Sequence, residues 1–171
     1  LIAGAGGQGV VSFGKIIAYS VMNEGLNVSC IPSYGPEMRG GTANCFVVYD
    51  NQEIKSPVFN SADILVAMNK SSADKFCSRV SPEGYIFLDS DMDFANDASL
   101  KANVVKLPMN AEAKKVGDSK SLNMVALGVL SKFFKDFSIN DVIDSIKRLF
   151  SEKQKVIASA IKAIQAGFAL V

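Results

Sequence analysis

The spacing of apolar residues changes twice near the start of the chain. A short apolar stretch at residues 1–3 leads into the glycine-rich segment 4–9, and apolar residues then recur at helical spacing over residues 10–21. Gly25 is typical of a left-handed helix cap, and residues 27–31 return to an extended pattern. A strand, a glycine turn, a helix and a second strand predict a βαβ unit, whose two strands we expect to pair in parallel.

The rest of the chain first alternates between strands and helices and then becomes helical. Pro32 ends the second strand, and the glycines and prolines of segment 33–42 predict a loop. Further strands are predicted at residues 43–49, 64–68, 85–88 and 104–107, with a short helix at 71–79 and a turn at 82–84. Helices are predicted at residues 122–134, 139–150 and 152–166, the second with Ser138 as its N-cap and the third ended by Gly167.

This order of elements favours a single α/β domain over residues 1–171. A chain of 171 residues has the usual length of one domain. Strands that alternate with helices predict a three-layer α/β/α arrangement with a largely parallel sheet and a helical C-terminal third. The helix segment 122–130 is apolar nearly all round, so we expect it deep in the core or against another subunit.

Composition excludes several classes of chemistry. The chain contains no histidine, which excludes Ser-His-Asp, Cys-His and His-metal catalysis within it. Its 18 basic and 17 acidic residues give a net charge of +1, which argues against general nucleic-acid binding. No apolar run reaches the length of a membrane span, so no contact with a membrane is expected.

The cysteines and the acidic runs do not suggest a metal site. Cys30, Cys45 and Cys77 lack the spacing that holds zinc or an iron–sulfur cluster, and we interpret them as reduced, buried thiols of a cytoplasmic protein. The acidic run at residues 89–93 lacks the glycine and the glutamate that a calcium loop requires. No metal ligand is therefore predicted in this chain.

Gly4, Gly6 and Gly9 stand between a strand and a helix at the spacing of the dinucleotide-binding turn. Such a turn lets the backbone approach a phosphate, and the helix N-terminus offers unpaired N–H groups. The acidic residue that would hold a ribose is missing from the end of the second strand, at residues 30–33. The pattern leaves open the binding of NAD or FAD, a tight turn without a ligand, and a phosphate or partner contact of another kind.

Segment 32–42 carries Arg39, one of three arginines in the chain. If the first two strands are neighbours, this segment leaves the sheet at the same carboxyl edge as the glycine turn. Arg39 could then bind a phosphate or carboxylate, with Glu37 as a counter-charge. Ser33 and Thr42 are candidate hydrogen-bond donors. An ion pair between Arg39 and Glu37 that only fixes the loop is the alternative.

Residues 4–11 and 32–45, taken together, resemble the γ subunit of the 2-oxoacid:ferredoxin oxidoreductases. The second segment most resembles the 2-oxoglutarate enzymes, followed by the 2-oxoisovalerate and pyruvate enzymes. The likeness continues through residues 54–57, 62–69, 123–128 and 163–167. The resemblance implies a multi-subunit enzyme that decarboxylates a 2-oxoacid on thiamine diphosphate. The electrons released by this decarboxylation pass through iron–sulfur clusters to ferredoxin, and an acyl-CoA is released. The same resemblance also implies the reverse reaction, a reductive carboxylation.

In that family, thiamine diphosphate, Mg²⁺ and the iron–sulfur clusters lie on other subunits. The resemblance therefore implies no catalytic residue and no bound cofactor on this chain alone, with coenzyme A as cosubstrate. The expected partners are the α and β subunits, a ferredoxin-like δ subunit, and ferredoxin as the electron acceptor. The residues expected to face coenzyme A or the thiamine-binding subunit are Gly4, Gly6, Gly7, Gln8, Gly9, Ser33, Tyr34, Gly35, Glu37, Arg39, Gly40, Gly41 and Thr42. The alternatives are a free-standing nucleotide-binding module and a purely structural subunit.

Overall fold

One sheet forms the centre of the computed structural model, which describes residues 1–35, 41–94, 100–117 and 119–171. Within these residues its strands are β1 (Ile2–Ala5), β2 (Asn27–Tyr34), β3 (Thr42–Asp50), β4 (Ala62–Ala67), β5 (Val80–Asp89) and β6 (Asn103–Leu107). Their order across the sheet is β2-β3-β1-β4-β5-β6. Strand β3 runs antiparallel to both neighbours, and the pairs from β1 to β6 are parallel. The prediction of a largely parallel sheet is confirmed.

Helices cover the two faces of the sheet unequally. In the described part of the chain they are α1 (Val10–Asn23), α2 (Lys70–Phe76), α3 (Met109–Lys115), α4 (Leu122–Phe133), α5 (Ile139–Leu149) and α6 (Gln154–Phe168). Helix α2 packs on one face, where Phe76 joins Leu65 and Ile86 in the smaller apolar cluster. The other five helices share the larger cluster on the opposite face. The three-layer α/β/α prediction and the helical C-terminal third are both confirmed.

The predicted pairing of β1 with β2 is wrong, because β3 lies between them. Residues 2–5 of β1 pair with residues 42–45 of β3, and Ile2 and Ala3 also pair with β4. Three of the four residues of β1 are buried, as a central strand requires, whereas β2 is partly exposed and forms the edge of the sheet. A short connection between β2 and β3 favours their antiparallel pairing.

Several predicted breaks fall inside regular elements. Pro32 lies within β2, and an edge strand tolerates proline where the missing N–H would face away from the sheet. Ser33, Tyr34 and Thr42, predicted in a loop, are strand residues. Residues 82–84 lie within β5 rather than in a turn before it. The apolar pattern also does not predict the short helix α3.

Helix α4 is buried within the chain, as every residue from Leu122 to Ser131 is shielded from solvent. It packs on α6 through glycines: a Cβ at Gly128 would lie 2.0 Å from the carbonyl oxygen of Ile164. A Cβ at Gly167, which lies in the last turn of α6 one residue before its end, would lie 1.9 Å from that of Val125. The apolar surface of α4 therefore needs no second subunit to cover it, which weakens the case for an obligate partner at this helix.

Two helix ends are set by local residues, as predicted. Gly25, with φ of 81°, follows α1 and donates its N–H to the carbonyl of Met22 at 3.0 Å. Ser138 caps α5, because its Oγ accepts the N–H of Asp141 at 3.2 Å. The Asp141 carboxylate accepts the N–H of Ser138 at 2.9 Å, which completes a capping box. Both ends are therefore determined by residues next to them in sequence.

Candidate functional site

The candidate site lies at the carboxyl end of β1, where the glycine turn of residues 6–9 leads into α1. The N–H of Gly6 donates to the carbonyl of Gly41 at 2.9 Å, and the N–H of Gly35 donates to the carbonyl of Thr42 at 2.7 Å. The glycine turn therefore lies beside the described ends of the second segment, residues 33–35 and 41–42. They meet through β3, which begins at this edge of the sheet, and not through a contact between β1 and β2.

Gln8 fixes the shape of the glycine turn from inside. Its Oε1 accepts the N–H of Ala5 at 2.7 Å and the Nδ2 group of Asn69 at 2.9 Å. Its Nε2 donates to the carbonyl of Met68 at 3.0 Å. These bonds join the end of β1 to the end of β4. Most of the hydrogen-bonding capacity of Gln8 is thus used within the chain, and one Nε2 hydrogen remains for another partner.

Two glycines of the turn adopt a left-handed backbone that L side chains rarely adopt. Gly9 has φ of 73°, and a Cβ there would lie 2.3 Å from Nδ2 of Asn123 on α4. Gly7 has φ of 95°, and a Cβ there would lie within 4 Å of no atom of the described residues. Gly6 and Gly7 are exposed, so the outer side of the turn is bare backbone that a ligand or partner can approach closely.

The N-terminus of α1 follows the turn directly and carries backbone N–H donors. No side chain of the described residues caps it, and no acidic residue stands in its first turn. The first helical hydrogen bond runs from the N–H of Phe13 to the carbonyl of Gly9 at 2.9 Å, so the N–H groups of residues 10–12 precede the intrahelical ladder. Such a helix end carries partial positive charge and favours an anionic group.

The second segment contributes exposed residues at the end of β2. Ser33 and Tyr34 are exposed, with Tyr34 at 66% of its full accessibility, while Gly35, Gly41 and Thr42 are partly buried. The described residues do not include Glu37, Arg39 and Gly40. The two interpretations of Arg39, ligand binding and an ion pair with Glu37, therefore both lie outside the described part of the chain. Ser33 and Tyr34 therefore form the described rim of the site.

Three asparagines near the turn are missing from the sequence prediction. Asn69 caps α2 by accepting the N–H of Ser72 at 2.9 Å while it donates to Gln8. Asn123 lies beneath Gly9. Asn44 on β3 is nine-tenths buried, and its Oδ1 has no hydrogen-bond partner among the described residues. Two of them carry a signal in the sequence. Asn69 is a polar residue just after the apolar strand β4, and Asn44 is a polar residue within the buried part of β3.

Other candidate features do not form a site at this edge. Asp89 is buried, and its carboxylate accepts the N–H groups of Asn110 at 2.6 Å and Asp91 at 3.0 Å, which fixes the start of α3. Among the described residues, no three acidic or cysteine side chains gather as metal ligands would. A cavity of about 540 Å³ lies at the opposite edge, around Leu1, Tyr49 and Ile64, and includes none of the predicted site residues. No helix of the described residues is long and apolar enough to cross a membrane.

Comparisons with known proteins cover nearly the whole chain. Ketoisovalerate oxidoreductase subunit VorA of Methanothermobacter thermautotrophicus is 35% identical over 167 residues, which are 97% of this chain and 35% of VorA. 2-Oxoglutarate synthase subunit KorC of Methanothermobacter marburgensis is 32% identical over 178 residues, which are 99% of this chain and 94% of KorC. The chain thus spans about a third of the length of VorA and nearly all of KorC.

The fold and the sequence point to the same family. The structure of 2-oxoglutarate:ferredoxin oxidoreductase from Magnetococcus marinus, with 2-oxoglutarate, coenzyme A and succinyl-CoA bound, matches with a TM-score of 0.89 and 28% identity. This match covers 99% of the present chain and 30% of that one. The sequence profile of pyruvate ferredoxin/flavodoxin oxidoreductases matches residues 1–170. The chain therefore belongs to the pyruvate ferredoxin/flavodoxin oxidoreductase family.

Proposed function

We propose that this chain is a single-domain γ component of a cytoplasmic 2-oxoacid:ferredoxin oxidoreductase. The complete reaction takes a 2-oxoacid, coenzyme A and two oxidised ferredoxins to an acyl-CoA, CO₂, a proton and two reduced ferredoxins. The α, β and δ subunits would supply thiamine diphosphate, Mg²⁺ and the iron–sulfur clusters. This chain would contribute binding and closure rather than a reacting group. The absence of histidine supports this division of roles.

The glycine turn and segment 33–42 would together receive coenzyme A and face the thiamine-binding subunit. The contact between Gly6 and Gly41 carries this proposal, because it joins the exposed turn and the second segment into one surface. The uncapped N-terminus of α1 suits the phosphates of coenzyme A. Coenzyme A is bound in the Magnetococcus marinus relative.

The position of β2 argues against the competing nucleotide-binding module. In a dinucleotide-binding unit, the acid that holds the ribose ends the strand beside the glycine turn. Here β3 occupies that neighbouring position, and the end of β2, one strand further away, carries Ser33 and Tyr34. Calorimetric titration of the chain with NAD, FAD and coenzyme A separates the two functions. Submicromolar binding of NAD or FAD would favour the nucleotide module over the oxidoreductase subunit.

The 2-oxoacid is proposed as 2-oxoglutarate, with ketoisovalerate as the second candidate. The VorA relative is 35% identical to this chain and the KorC relative 32%, and of the two only KorC is matched over nearly its own whole length. Anaerobic purification of the tagged chain from its own cells, with partners identified by mass, would test the complex. The eluate would then be assayed for coenzyme A-dependent ferredoxin reduction with both acids and with pyruvate. A lone chain without activity would contradict the proposed function.

Arg39→Ala is expected to raise the KM for coenzyme A by about tenfold or more in the assembled complex, with a smaller effect on kcat. A hydrogen bond to a charged group contributes about 1.5–3 kcal/mol, and 1.4 kcal/mol corresponds to a factor of about ten. Arg39→Lys is the matched control, because it keeps the charge and should lose only part of the affinity. An unchanged KM together with an unchanged complex would remove Arg39 from the proposed site.

A further inference from the structure

Cys30 and Cys45 form a close pair of thiols between β2 and β3. Cys30 stands opposite Val47 and Cys45 stands opposite Pro32, so the two cysteines are diagonal neighbours on the same face of the sheet. Their Sγ atoms are 3.4 Å apart. Gly14 of α1 makes room for them, because a Cβ there would lie 2.3 Å from Sγ of Cys45.

The two thiols differ in access and in acidity. Cys45 is fully buried, whereas Cys30 is partly exposed on the edge strand. The hydrogen bond with Cys45 lowers the pKa of Cys30 to about 7, with a smaller contribution from the charge of Lys15 and against the opposing effect of burial. The same hydrogen bond, together with burial, raises the pKa of Cys45. A partly exposed thiol that ionises near pH 7 therefore lies in contact with a buried thiol that stays protonated.

We propose that Cys30 and Cys45 are a redox-active pair that closes to a disulfide when a hydroperoxide oxidises Cys30. The Cys30 thiolate attacks the terminal oxygen of the hydroperoxide and the O–O bond breaks, so that a sulfenic acid forms and an alkoxide leaves, or hydroxide in the case of hydrogen peroxide. Sγ of Cys45 then attacks the Cys30 sulfur and displaces the sulfenic oxygen, which leaves as water with the Cys45 proton. With hydrogen peroxide, two thiols and one peroxide give one disulfide and two waters. The sulfurs must approach by about 1.4 Å to reach bonding distance.

The disulfide would close a loop that contains the candidate site segment. Cys30 lies three positions before Ser33, and Cys45 lies three positions after Thr42. The bond would therefore link β2 to β3 covalently at these two positions. This consequence does not depend on which ligand the segment binds.

Peroxide titration of the full chain, followed by alkylation and peptide mass spectrometry, tests the pair. Cys77→Ser, which changes the third cysteine, is the background for all samples. We expect Cys30 and Cys45 to lose alkylation together, with the loss of two hydrogens from the linked peptides and full recovery after dithiothreitol. Oxidation of Cys30 to sulfinic acid while Cys45 remains alkylatable would overturn the proposal. So would equal and independent oxidation of the two residues.

The pH dependence of alkylation checks the ionisation of Cys30. Its pKa in the folded chain is below that of an ordinary thiol, so the reactive thiolate forms as the pH rises through about 7. The rate of reaction with iodoacetamide should have its midpoint there. In Cys45→Ala the midpoint should move upward, and the rate at pH 7 should fall by about tenfold. An unchanged midpoint in that variant would show that Cys45 does not activate Cys30.

Discussion

Gly128→Ala and Gly167→Ala are each expected to lower the free energy of unfolding by about 3 kcal/mol or more. The added Cβ would meet a backbone carbonyl of the facing helix at 2.0 Å or 1.9 Å. Backbone atoms cannot rotate away as a side chain can, so α4 and α6 would have to separate. These two helices form much of the larger apolar cluster, and their separation would open it to water. Urea denaturation monitored by circular dichroism would measure the change.

Gly117→Ala provides the control for this prediction. Gly117 has φ of 94°, and a Cβ there would meet no atom of the described residues within 4 Å, so alanine would introduce backbone strain without a clash with them. We expect it to cost about 1–2 kcal/mol. The close approach of α4 and α6 would be contradicted if alanine at Gly128 or Gly167 cost no more than alanine at Gly117.

Gln8→Ala is expected to lower the free energy of unfolding by about 2–4 kcal/mol and to weaken coenzyme A binding. The change leaves the N–H of Ala5, the carbonyl of Met68 and the amide of Asn69 without the partner they share. Each polar group left unpaired in a buried site costs about 1–3 kcal/mol, less where water can enter. The turn would also lose its connection to β4. Chemical denaturation and the KM for coenzyme A in the complex would measure the two effects.

Two further variants separate the role of Gln8 from general effects of substitution. Gln52→Ala changes an exposed glutamine and should alter stability by less than about 0.5 kcal/mol. Gln8→Glu keeps an acceptor for Ala5 and Asn69 but sets a carboxylate oxygen against the carbonyl of Met68. It should lie between wild type and Gln8→Ala at neutral pH. A Gln8→Ala variant as stable as Gln52→Ala would contradict the network.

Local features of the fold could be predicted from the sequence because their causes are local. Gly25 ends α1 and Ser138 starts α5 through contacts with residues at most three positions away. The position of β3 could not be predicted in this way. The order of the strands depends on which of them buries enough apolar surface to lie at the centre of the sheet. That choice involves residues far apart in sequence. Gly167 illustrates the same difficulty, since packing against α4 and not helix termination explains it.

In the candidate site, too, local features could be predicted from the sequence and long-range contacts could not. The glycine turn and segment 33–42 could be identified from composition, and their contact through Gly6 and Gly41 is observed. The inward role of Gln8 could not be predicted, because its partners Met68 and Asn69 lie about 60 positions later. Asn44 is recognisable in the sequence as a polar residue within an apolar strand, but only the folded sheet shows that its Oδ1 has no partner among the described residues. The glycine pattern of the sequence thus predicts where the backbone of the site lies. Which side chains support that backbone depends on tertiary contacts, which the sequence pattern does not show.

The central place of β1 has a consequence for synthesis on the ribosome. Ile2 pairs with Cys45 and Val66, which are added 43 and 64 positions after it. At about 5–20 residues per second, the later partner is added about 3–13 s after β1 is made. During that interval the future centre of the sheet is an unpaired apolar segment of a nascent chain. Slow translation between these positions would therefore prolong its exposure to aggregation and to chaperones, even though the finished domain buries it almost completely.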